Sequence, residues 1–94
     1  MVLGCEGSLV RDTTTNTLYF SLPYTSTLTR FNMTIFQSFD EGLTWNIYRN
    51  VDEGSVAYSS LQIKSTSGLE ILYERSNNIT LIFEPDEIIY WSVV

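Results

Sequence analysis

Ser38-Phe39-Asp40-Glu41-Gly42-Leu43-Thr44-Trp45 follows the pattern Ser-x-Asp-x-Gly-x-Thr-Trp, and this spacing predicts a turn stapled by its own side chains. Ser38 and Asp40 offer oxygens to nearby backbone N–H groups, and Gly42 accepts a positive φ without a Cβ clash. Thr44 and Trp45 are expected to open the next strand, with the indole packed under the loop. The pattern is the turn motif known as an Asp box. It marks a hairpin between two strands and therefore points to β-structure on both sides.

Working outward, short β-branched and aromatic runs recur at close spacing between turn residues, and no segment sustains a 3.6-residue period. Strands are predicted at Ser8 to Arg11, Leu18 to Leu22, Phe31 to Gln37, Thr44 to Tyr48, Ala57 to Lys64, Leu69 to Glu74, Ile79 to Phe83 and Glu87 to Val93. Turns are predicted at Asp12 to Asn16, Pro23 to Thr29, Asn50 to Gly54, Ser65 to Gly68, Ser76 to Asn78 and Pro85-Asp86. The chain reads as all-β. Eight strands at this spacing fit two four-stranded antiparallel blades of about 40–50 residues each, dividing near residue 50. They also fit one small β-sandwich.

The 94 residues are 44% hydrophobic and 14% aromatic, enough to pack a core. A net charge of −6 with five Lys plus Arg argues against nucleic-acid binding, which draws on a basic stripe. With no His and a single Cys, Cys5, neither a metal site nor an intrachain disulfide is expected, and no cofactor is implied. No apolar run is long enough to span a membrane, and the N-terminus carries no basic region followed by an apolar stretch. Asn32-Met33-Thr34 and Asn78-Ile79-Thr80 are N-glycosylation sequons, acceptors if the protein enters the secretory pathway.

A three-residue loop at Ser65 to Ser67 would pair Gln62 with Glu70, Ser60 with Leu72 and Tyr58 with Glu74. Tyr58 and Glu74 would then lie on one face, their Cβ atoms about 4.5–5.5 Å apart. A one-residue slip would undo that pairing.

Four segments in order, Gly4-Cys5-Glu6-Gly7-Ser8, Arg30-Phe31-Asn32-Met33-Thr34, the Asp box, and Tyr58-Ser59-Ser60-Leu61 with Leu72-Tyr73-Glu74, resemble the C-terminal part of the sialidase (neuraminidase) family. The lysosomal members are nearest in pattern, and the likeness covers essentially the whole chain. It implies the last two blades of a six-bladed propeller and a parent activity of retaining exo-α-sialidase, releasing terminal sialic acids from glycoproteins, glycolipids and oligosaccharides. By the same resemblance Tyr58 is the nucleophile, Arg30 the third arginine gripping the sialic acid carboxylate, and Glu74 the carboxylate that braces another arginine. The Asp box residues Ser38, Asp40, Gly42, Thr44 and Trp45 are structural.

The chemistry gives these roles a reason. A carboxylate nucleophile would be repelled by the carboxylate on the anomeric carbon of sialic acid, whereas a tyrosine is neutral until a base activates it. Arginine grips a carboxylate through two parallel hydrogen bonds, and losing such a buried contact costs about 2–5 kcal/mol. The family's first two arginines, its aspartate acid and its glutamate base find no match here, so this polypeptide alone is expected to be inactive. The implied partners are sialylated glycoconjugates and the N-terminal blades of the same protein, with a lysosomal or secretory location for the parent. Two other readings stay open: a non-catalytic Asp-box propeller piece, or a small sandwich that binds glycans or proteins.

Overall fold

In a computed structural model, residues 7–25, 31–64, 68–76 and 87–92 are described. Their regular elements are all β-strands: β1 (Ser8–Asp12), β2 (Thr17–Pro23), β3 (Phe31–Ser38), β4 (Asn46–Ile63), β5 (Leu69–Ser76) and β6 (Glu87–Ser92). The fold is all-β. The strands form an antiparallel meander in the order β1-β2-β3-β4-β5-β6. Five of the predicted strands appear within two residues of their expected ends. The strand expected at Ile79 to Phe83 lies outside the described residues, as do Cys5, Arg30 and Asn78.

The turn expected at Asn50 to Gly54 does not form. These residues are the middle of β4, an 18-residue strand that merges two predicted ones. The residues that suggested a turn find partners inside the sheet instead. The Asn50 side-chain amide donates to Asn32 Oδ1 and, at 3.3 Å, to Thr34 Oγ1. Asp52 Oδ1 accepts the Gly54 N–H at 2.8 Å. Register shifts between Phe31 and Met33 and between Met33 and Thr34 absorb the irregularity, with Asn32 at φ 68°, a left-handed conformation that asparagine tolerates better than most residues. Position 50, where the two four-stranded units were expected to divide, falls within this strand.

β4 belongs to both halves of the sheet. Its first part pairs with β3 and its last part with β5, and Ser55 is shared, opposite Phe31 on one side and Ser76 on the other. The second half folds back over the first. The Leu61 N–H donates to Ser8 Oγ on β1 at 2.9 Å, and the hydroxyls of Ser59 and the fully buried Ser21 on β2 are hydrogen-bonded at 2.7 Å.

The core lies where the halves meet: Met33 and Ile35 from β3, Val56 and Leu61 from β4, and Leu69, Ile71 and Tyr73 from β5, flanked by Val10, Tyr19, Tyr48, Val51 and Ile63. β5 shows why the sequence pattern demands this. Leu69, Ile71 and Tyr73 are buried while Leu72 between them is exposed, the period-2 alternation of a strand with one face on the core. Each such aliphatic side chain contributes about 1.5–3 kcal/mol by leaving water.

Candidate functional site

The Asp box closes as its residue types require. Ser38 Oγ accepts the Gly42 N–H at 2.9 Å and donates to Asp40 Oδ1 at 2.8 Å. Asp40 accepts the Thr44 N–H at 2.9 Å on Oδ1 and the Thr44 hydroxyl at 2.6 Å on Oδ2. The Trp45 indole N–H donates to the Gly42 carbonyl at 3.0 Å, folding the ring under the loop. Gly42 sits at φ 86° and Glu41 at φ 62°. The strand begins at Asn46 rather than Thr44, because Thr44 is taken up by Asp40. Hydrogen bonds from the Thr44 hydroxyl, the Thr44 N–H and the Ser38 hydroxyl hold the Asp40 carboxyl down at about 2.

A clamp that sequence reading did not single out fixes this loop to β1. Arg11 Nη1 and Nη2 donate to the two carboxylate oxygens of Glu41 at 2.7 and 2.8 Å, and Nη1 also reaches Asn16 Oδ1 at 2.7 Å. The fork-to-fork geometry lowers the Glu41 pKa and raises that of Arg11. The partners are 30 residues apart, so no local pattern reveals them. Beside the loop, Phe20, Leu22, Tyr24, Phe36 and Trp45 line an apolar cleft of about 250 Å³.

The second cluster is the one that contains the expected nucleophile. Gln62 pairs with Glu70 and Ser60 with Leu72, as the hairpin reasoning requires, and the Lys64 N–H closes the turn on the Gly68 carbonyl at 3.0 Å. Then the ladder slips. Ser59 pairs with Tyr73 and Val56 with Arg75, so Ala57 and Tyr58 together face Glu74 across a β-bulge. The consecutive burial of Val56 and Ala57 is its signature, and Tyr58 comes out 46% exposed beyond it.

Tyr58 and Glu74 are therefore brought together, through a bulge that period-2 counting does not anticipate. The Tyr58 N–H donates to Glu74 Oε1 at 3.4 Å. Tyr58, Ser59, Ser60, Leu72, Tyr73 and Glu74 line a shallow cleft of about 210 Å³.

Asp52 is the residue that sequence reading missed. Its Oδ2 accepts the Tyr73 hydroxyl and Arg75 Nε, each at 2.8 Å, while Oδ1 holds the Gly54 N–H. Burial alone would raise the Asp52 pKa, but these hydrogen bonds from Gly54, Tyr73 and Arg75, with the Arg75 charge, leave it lowered. Tyr73 is buried, and its hydroxyl has this specific acceptor. Tyr90 is 61% exposed, and its hydroxyl donates to Glu70. A Tyr, an Asp and an Arg at positions 73, 52 and 75 carry no spacing signal; only the return of β4 alongside β5 joins them.

Asn32 lies on β3 with its amide nitrogen donating to the Tyr24 carbonyl at 2.9 Å. Among the described residues, no group of three or more acidic or Cys side chains is arranged to hold a metal ion, and no helix is long and apolar enough to cross a membrane. No family model, curated protein or solved structure matches the chain.

Proposed function

We propose that the chain is the nucleophile-bearing C-terminal part of a retaining exo-α-sialidase, inactive by itself. The observation that supports this reading best is the shared cleft of Tyr58 and Glu74, where the sialidase-like motifs place a tyrosine and a carboxylate. In the complete enzyme Arg30 would hold the sialic acid carboxylate, and the Tyr58 hydroxyl would give its proton to the base and attack the anomeric carbon, breaking the glycosidic bond as the acid protonates the departing aglycone oxygen. Water would then release the sugar with retained configuration. Base, acid and two further arginines come from preceding blades, and no metal takes part.

The test is complementation. Joined behind the N-terminal blades of a sialidase, the chain should turn over a fluorogenic sialoside, and Tyr58→Phe should abolish turnover. Full activity in that variant refutes the nucleophile.

A second reading has its own support. β4 serves both halves of the sheet, and β1 and β2 bond directly to its C-terminal part, which suits a self-contained sandwich that binds glycans or proteins. A sharp monomer with one cooperative unfolding transition favours the sandwich. Concentration-dependent association through open edges favours the propeller piece.

A further inference from the structure

We propose that Asp52 is a positioning residue that sets the register of the Tyr58–Glu74 pair. Its role in catalysis rests on the sialidase reading above; its role in the register stands on the sheet alone.

The bulge has two ends. At one, Val56 faces Arg75; at the other, Ser59 faces Tyr73. Tyr73 and Arg75 are the two residues on either side of Glu74, and strand alternation puts both on the face opposite to Glu74. One carboxylate oxygen, Asp52 Oδ2, holds both of them at 2.8 Å. The Asp52 side chain is only 12% exposed and Tyr73 only 5%, so the contact is sheltered from water and geometrically selective.

A slip of β5 by one residue would carry Tyr73 and Arg75 away from Asp52 and turn Glu74 inward. Without the extra residue in β4, alternation from the buried Val56 would place Ala57 outward and Tyr58 inward. Asp52 thus pins β5 at both flanks of the position where β4 accommodates its additional residue. Asp52 is itself fixed at the base of the segment that leads into the bulge, by the hydrogen bond that its Oδ1 accepts from the Gly54 N–H.

The consequence is readable without turnover. In the 94-residue chain, Glu74→Gln should displace the Tyr58 amide resonance, because it replaces the carboxylate whose oxygen accepts this N–H; that displacement is the Tyr58 excursion. In an Asp52→Asn background Glu74→Gln should give a Tyr58 excursion at least threefold smaller, while the Thr44 amide, tied to Asp40 in the remote Asp box, keeps its parent-chain resonance. An undiminished Tyr58 excursion in Asp52→Asn overturns the proposal. So does its absence from the parent chain. Should Asp52→Asn lose the Thr44 control signal through unfolding, Tyr73→Phe, which deletes one hydroxyl, serves instead: a reduced excursion supports the pin, and an unchanged one refutes it. If the Tyr58 excursion depends on Asp52 while complementation gives no sialoside turnover, the sialidase reading fails and the register pin survives.

Discussion

The carboxylate of Asp40 takes both the backbone N–H and the hydroxyl of Thr44, at 2.9 and 2.6 Å, and so closes the loop between β3 and β4 with one side chain. That bond network makes the loop acid-sensitive. The Asp40 pKa is about 2 in the fold, below the roughly 3.9 of an unperturbed aspartate. A depressed folded pKa stabilises the folded state above the unfolded value, and the contribution is lost as pH falls from about 4 to about 2. The Trp45 indole N–H resonance should shift across that window. In Asp40→Asn the shift should disappear, and in Thr44→Val its midpoint should move upward.

Asp52 should add to the same acid dependence, since its pKa is also lowered. Protonation removes acceptor strength toward Tyr73, Arg75 and Gly54, so stability should decline as pH falls below the unfolded value, about 3.9. Urea midpoints measured between pH 7 and pH 3 should fall less steeply in Asp52→Asn than in the parent chain, though from a lower starting value.

Two glycines should fail for different reasons. At Gly42 an added Cβ would meet Trp45 at an ordinary 3.5 Å, but φ is +86°, so Gly42→Ala should cost about 1–2 kcal/mol in backbone strain. At Gly7 the added Cβ would stand 2.5 Å from the Ser21 carbonyl oxygen and 2.7 Å from the Phe20 ring. Because the first obstacle is backbone, Gly7→Ala must displace β1 from β2, and it should lower the urea midpoint despite leaving every buried side chain in place.

Alternation in β5 is testable by neighbours. Ile71→Ala should cost about 2–5 kcal/mol by opening a cavity in the core, whereas Leu72→Ala, one residue along and 45% exposed, should cost well under 1 kcal/mol. Equal losses would mean that β5 does not present this face to the core.

The contact between the halves of the sheet can be isolated by a double-mutant cycle. Ser21 and Ser59 are 38 residues apart and share a 2.7 Å hydrogen bond. Ser21→Ala and Ser59→Ala should be coupled by about 1 kcal/mol. Additive effects would place the two hydroxyls apart in solution.

The sequence alone determined the local devices. The Asp box was legible because each of its bonds spans at most four residues. The pairing of Gln62 with Glu70 followed from the short loop between them. What the sequence did not determine is where distant segments meet. Asn50 to Gly54 has the composition of a turn, yet it runs as strand because Asn32 and Thr34 on β3 and the Tyr73 and Arg75 side chains on β5 supply partners from elsewhere in the chain. The bulge at Ala57 and Tyr58, the hold of Asp52 on Tyr73 and Arg75, and the Arg11–Glu41 clamp are likewise tertiary. Hydrogen-bond donors and acceptors must be satisfied by whatever the fold brings near, and that choice is made by the packing of one half of the sheet on the other, not by residue order.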